Sequence, residues 1–195
     1  MRYTFLYSSQ KKHIYMPRKD DRMKGFLEKA RTAVVLFVVV ALLAPFFAGQ
    51  GVSAAAKKYT VGAFQVAAPA SWNASTQTVG TNEQLMFQNG MYVLLVQSTY
   101  VGQTVDTNLL NSALKLGFES MSKSMGGVEI KGAKYSETKI KLGKAVKFTG
   151  KINANGISVK CRGYAVSKNG YIMLAMALGN QDKNEKKVIN SIRLK

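Results

Sequence analysis

Residues 144–178 read KAVKFTGKINANGISVKCRGYAVSKNGYIMLAMAL, and this stretch decides the fold. Three strand-like runs are separated by Asn153-Ala154-Asn155-Gly156 and by Lys168-Asn169-Gly170. Asn-Gly pairs favour two-residue hairpin turns, because both residues tolerate the positive φ that such turns require. A turn at Asn155-Gly156 sets Ile152 opposite Val159, Gly150 opposite Cys161 and Val146 opposite Ala165, which makes one apolar face. The other face then carries Lys147, Thr149, Lys151, Lys160, Arg162 and Tyr164. Residues 171–178 form a continuous apolar run, as a central strand covered on both faces requires.

The pattern extends outward from there. Residues 134–142 end in alternating Lys139-Ile140-Lys141-Leu142, and residues 128–131 form a short strand before them. Over residues 106–125 the period changes: Leu110, Leu114, Gly117, Phe118, Met121 and Met125 recur at three- and four-residue steps, the stripe of one buried helix face. Asp106 supplies the N-cap and Gly126-Gly127 the stop. Upstream, Asn89-Gly90 joins residues 83–88 to residues 91–99 as a hairpin. Residues 59–67 alternate as a strand that stops at Pro69, just before Trp72. At the C-terminus Asp182 caps a short helix, Glu185 completes a capping box, and Val188, Ile189 and Ile192 anchor it. The expectation is an α+β domain: an antiparallel sheet of about six strands, one long mid-domain helix and a short C-terminal helix.

The first third of the chain reads as an address. Residues 32–48 (TAVVLFVVVALLAPFFA) are almost wholly apolar and no charge occurs from Ala33 through Ala56. Lys24, Lys29 and Arg31 precede them and small residues follow, the three-part pattern of a secretory signal peptide. Val52 and Ala54 suit the peptidase and place the cut after Ala54, with cuts after Ala55 or Ala56 as alternatives. The competing reading is an uncleaved anchor, although a full span needs about 20 apolar residues and this run is interrupted by Pro45. Residues 23–54 are thus the signal, residues 55–195 a single exported domain. Residues 1–22 are a misassigned start, with Met23 the natural one, or else an extension without a fold.

Of the 195 residues, 28 are Lys or Arg and 10 are Asp or Glu, a net charge of +18. From Ala55 onward 19 basic and seven acidic residues remain, so the domain itself carries +12. One cysteine permits no intrachain disulfide, and with one histidine, His13, no Cys₄ or Cys₂His₂ zinc site can be assembled. No metal or cofactor is expected. The seven acids of the domain are Glu83, Asp106, Glu119, Glu129, Glu137, Asp182 and Glu185, and they show neither a D-x-D run nor calcium-loop spacing. Cys161 has no histidine in the domain to activate it and alternates with Ile157 and Val159, which makes it a small core residue. Ser120, Ser122, Ser124 and Lys123 cluster on the helix without an S-x-x-K or G-x-S-x-G motif. A hydrolase built on Ser/Lys or on paired carboxylates is therefore the weaker reading, and no catalytic residue is assigned.

With these elements in place, the chain resembles the PsbP/Mog1/DcrB-like superfamily. The matching residues are Phe64-Gln65-Val66 leading to Pro69-Ala70-Ser71-Trp72, the Asn-Gly hairpin, the mid-domain helix and Val188-Ile189-Asn190-Ser191-Ile192, and the resemblance covers residues 58–195. It implies a sandwich fold and an exported, non-enzymatic accessory role. It implies no particular partner, since the matching residues are core and turn positions.

The basic sheet face is the candidate site. Lys147, Lys151, Lys160 and Arg162 project from two paired strands, with Lys151 set against Lys160. Directly opposed like charges cost some tenths of a kcal/mol, a cost that an anionic partner removes. For an exported protein that partner is an anionic wall polymer or membrane surface, or else an envelope protein. No nucleic acid is expected, given the export signal. The bland alternative is a solvated face that keeps the protein soluble.

Overall fold

A computed structural model describes residues 56–79, 82–124, 128–154 and 156–195, with the side chains of Val79, Met121 and Ser124 left out. The segment read as a signal, the cut expected after Ala54, the start expected at Met23 and the expected Gly126-Gly127 helix stop lie outside the described residues.

The chain order is β1 (Ala56–Val61), β2 (Phe64–Pro69), β3 (Asn73–Val79), β4 (Asn82–Asn89), β5 (Tyr92–Tyr100), α1 (Thr107–Ser124), β6 (Val128–Ile140), β7 (Gly143–Ala154), β8 (Ile157–Lys168), β9 (Tyr171–Leu178), α2 (Glu185–Ser191) and β10 (Arg193–Leu194). Seven strands make the main sheet in the order β3-β4-β5-β9-β8-β7-β6, and β1-β2-β10 make a small one. All described pairings are antiparallel. This is the expected α+β architecture, with seven strands in the principal sheet rather than six.

The register read from Asn155-Gly156 holds residue by residue: Ile152 pairs with Val159, Gly150 with Cys161 and Val146 with Ala165. At the next turn Asn169 and Gly170 both take positive φ, 50° and 78°, as a type I′ turn requires. The Asn89-Gly90 hairpin forms one residue later than expected. Asn89 pairs with Tyr92, and Gly90 (φ 58°) with Met91 makes the loop.

Four other details depart from the expectation. Residues 59–67 are two strands, not one, because Gly62 (φ 54°) turns the chain and Val61 pairs with Phe64. Strand β3 (NASTQTV) and the two-residue β10 were not anticipated. The runs 128–131 and 134–142 belong to one strand, β6, whose pairing shifts between Lys131 and Lys134 where Gly132 takes φ 61°. Asp182 does not cap α2 directly: the N-cap is Asn184, and Asp182 Oδ1 accepts from the Asn184 N–H at 2.7 Å. Helix α1 begins as expected, with Asp106 Oδ1 accepting from the Leu109 N–H at 2.8 Å.

The main sheet carries a core on each face. On one face α1 lays Leu110, Ala113, Leu114 and Phe118 over Val146, Phe148, Ile152, Cys161 and Leu174. On the other, β1, β2 and α2 bury Val61, Phe64, Val66, Val188, Ile189 and Ile192 against Leu85, Phe87, Leu94, Met173 and Ala175. That second cover reaches β7 at Ala145 and β8 at Val166 and Tyr164, and through Glu185 it also reaches Arg162. The far ends of β6, β7 and β8 are left open to solvent on this face.

Candidate anion-binding face

On that open area Lys131, Lys151 and Lys160 stand in one cross-strand row, each directly opposite the next on β6, β7 and β8. The row beside it pairs Lys134 with Thr149 and Thr149 with Arg162, and the next pairs Ser136 with Lys147 and Lys147 with Tyr164. Cross-strand partners share a sheet face, so five exposed lysines, at 131, 134, 147, 151 and 160, occupy one surface. Its acid is Glu129, which sits 3.2 Å from Lys131 Nζ, with both side chains more than half exposed. Such a pair is worth little and is screened by salt.

Of the residues singled out in the sequence, Lys147, Lys151 and Lys160 stand together, exposed, as expected. Lys131 and Lys134 join them. They were overlooked because the bulge between them hides the alternation that would have placed them on the same face.

Arg162 does not stand free, which corrects its place in the set. Its Nε lies 2.8 and 2.9 Å from the two Glu185 carboxylate oxygens, and Nη2 also bonds Glu185. Nη1 donates to the Gly179 carbonyl at 2.8 Å, and the guanidinium lies 5.9 Å from the Tyr92 ring centre. The two charged side chains are only 18% and 7% exposed. Glu185 therefore neutralises Arg162 instead of completing a capping box, and the pair fastens α2 to β8. Burial, and then the nearby Glu185 carboxylate, raise the Tyr92 hydroxyl well above the usual tyrosine range.

The residues considered for catalysis are distributed otherwise. Glu83 accepts from the Gly62 N–H at 2.8 Å, Glu137 from the Thr107 hydroxyl, and Asp182 from Asn89 Nδ2 at 2.8 Å. No cluster of three or more potential metal ligands occurs among the described residues. A groove of about 610 Å³ between α1 and β6 gathers Ser122, Lys123 and Glu119 beside Tyr135. Lys123 is exposed, and no hydrogen bond joins Ser122 to a lysine among the described residues, whereas a base must come within about 3 Å of the hydroxyl it activates. Burial pushes the Tyr135 hydroxyl up to about 12, aided by Cys161 and Glu119.

Cys161 is buried in the α1-side core, and that burial pushes its thiol from 9.0 up to about 11, partly opposed by Arg162. Two outcomes follow. At pH 8 a water-soluble disulfide reagent should leave Cys161 unlabelled until the chain is denatured, whereas labelling of the folded protein would contradict its burial. Since the folded values of Cys161 and Tyr135 lie above their unfolded ones, the stability tied to them is complete below about pH 9. It is lost as pH rises toward about 12, to the extent of about 3 kcal/mol for Cys161 alone. Urea unfolding at pH 8, 9, 10 and 11 should show that decline, and Cys161→Ala should flatten it.

Among the described residues no helix is long and apolar enough to cross a membrane. No family model matches the sequence, and no curated protein matches it significantly. The fold does have solved counterparts. The solution structure of cyanobacterial PsbP (CyanoP) from Synechocystis sp. PCC 6803 is similar at TM-score 0.50 and 14% identity, over 77% of this chain and 99% of that one. A crystal structure from Bacteroides thetaiotaomicron VPI-5482 aligns at TM-score 0.42 and 12% identity, over 71% of this chain and 48% of that one. The fold is PsbP-like.

Proposed function

We propose, on the premise of a PsbP-like fold with an open lysine surface, that this chain is an exported, non-enzymatic accessory protein of the cell envelope. Its lysine face adheres to anionic wall polymer or to anionic membrane lipid. The observation that carries the reading is the row Lys131–Lys151–Lys160, three like charges in direct register. Each such opposition costs some tenths of a kcal/mol. Attraction to an anionic surface returns about 1 kcal/mol per well-placed lysine and is screened by salt.

Co-sedimentation of residues 55–195 with isolated cell walls, and with anionic and neutral vesicles, tests this across a salt series. Binding should be confined to the anionic material and should fall as salt rises. Lys147→Glu combined with Lys160→Glu should weaken it at least about tenfold at low salt. Absence of binding even at low salt would refute adhesion, and the charge would then serve solubility alone.

A further inference from the structure

At the opposite end of the same sheet face lies a second cationic feature, separate from the lysine row. A cleft of about 420 Å³ opens between the small sheet, the end of α2 and the β6–β7 turn. Lys58, Lys141, Lys168 and Arg193 line it, and no Asp or Glu does. Leu142 at this cleft and Lys151 in the row are separated by most of β7, roughly 30 Å at the rise of an extended strand.

Two of the cations are held by neutral partners. Lys168 Nζ donates to the Leu142 carbonyl at 3.2 Å. Arg193 donates from Nε and Nη2 to Gln65 Oε1, its cross-strand partner. Both side chains are thereby oriented while their charge stays uncompensated. Ser191, also in the lining, fixes the wall: its hydroxyl accepts from the Ala67 N–H at 2.8 Å and donates to the Val188 carbonyl at 2.7 Å. The only ion pairs among the described residues are those of Glu129 with Lys131 and of Glu185 with Arg162, neither of them here. Four positive charges thus line a concave, partly apolar site with no carboxylate among them, an arrangement that a multiply charged anion would neutralise. The volume falls in the range of small-molecule sites, about 300–1,000 Å³.

We propose that this cleft binds a phosphate-bearing group, with Lys168 and Arg193 as preset donors and Lys58 and Lys141 as the flanking charges. A guanidinium with one edge tied to Gln65 and an ammonium with donors to spare suit the several acceptor oxygens of a phosphoryl group. The group could arrive on a soluble metabolite or on a lipid headgroup, and the chemistry recognised is the same.

The test uses the full chain in a neutral detergent, at low salt. One arm is calorimetric titration with inorganic pyrophosphate, and the other is titration with mixed micelles containing phosphatidylglycerol. Pyrophosphate binding at one site per chain, weakened at least about tenfold by Lys58→Gln with Lys141→Gln, would support a soluble ligand. Binding of the anionic micelles alone, weakened by the same pair, would support a headgroup. Lys58 and Lys141 are exposed and their side chains make no hydrogen bond among the described residues, so this variant keeps the fold, whereas Lys168, also exposed, ties down the Leu142 carbonyl. Lys147→Glu with Lys160→Glu serves as the control: it should leave pyrophosphate binding unchanged, and the micelle titrations are run in its background so that the lysine row does not contribute. Absence of binding in both arms overturns the proposal, as does binding that the cleft pair leaves intact or pyrophosphate binding that the lysine-row variant weakens equally. Because the control variant tests the lysine row, adhesion and the cleft can fail independently.

Discussion

Glu185→Gln is expected to destabilise the folded chain by about 3–5 kcal/mol, the loss seen when one partner of a buried ion pair is removed. Arg162 is held by Glu185 through two guanidinium nitrogens and by the Gly179 carbonyl through a third. Without the carboxylate its charge remains against Tyr92 with little water to receive it. The loss concerns the orphaned charge more than the value of the bond, so Arg162→Met with Glu185→Leu should recover most of it. Chemical denaturation of the two singles and the double gives the coupling directly. A cost below about 1 kcal/mol for Glu185→Gln would mean that the pair behaves as an exposed one.

Gly163→Ala should lower stability by about 3 kcal/mol and the melting temperature by roughly 10 °C. Gly163 lies on β8 between Phe148 of β7 and Met176 of β9. A Cβ there would sit 2.2 Å from the Ala175 carbonyl oxygen and 2.4 Å from Phe148 Cζ. The oxygen is main-chain, part of the ladder to β9. The ring is wedged against Phe118 with centres 5.3 Å apart. Neither can retreat without parting strands or opening the α1 side of the core. Melting followed by circular dichroism decides the matter: a change under about 2 °C would show that the sheet yields at this point.

What the sequence disclosed, and what it withheld, follows from which forces leave a mark on residue order. The β7–β8 register was legible because a turn that demands Asn-Gly fixes pairing to the residue, and apolar alternation agrees with it. Helix α1 was legible from a single stripe. Strand β3 was not, since Ala74, Ser75, Thr76, Gln77 and Thr78 are all exposed at a sheet edge, where nothing imposes alternation. The buried polar chain across β4 and β5 was also hidden. Gln84 bonds Gln97, Gln97 bonds Thr99 and Thr99 bonds Asn82, and polar residues with partners only in three dimensions look like surface.

The same limit governed the site. Lys151 opposite Lys160 was legible from one turn, but Arg162 looks identical in sequence to its lysine neighbours. Its capture by Glu185, 23 residues away, depends on where α2 docks. The cleft was still less accessible, since Gln65 and Arg193 meet across 128 residues.

That last separation bears on the order in which the two surfaces come into being. The lysine row belongs to β6, β7 and β8, consecutive hairpins whose closure costs little chain entropy. The cleft needs β2 from the start of the fold and β10 from its end, paired across 128 residues. Long-range pairings of this kind set the pace of folding. A nascent chain thus displays its polycationic strip early, while the cleft is assembled only when the two termini of the fold are brought together.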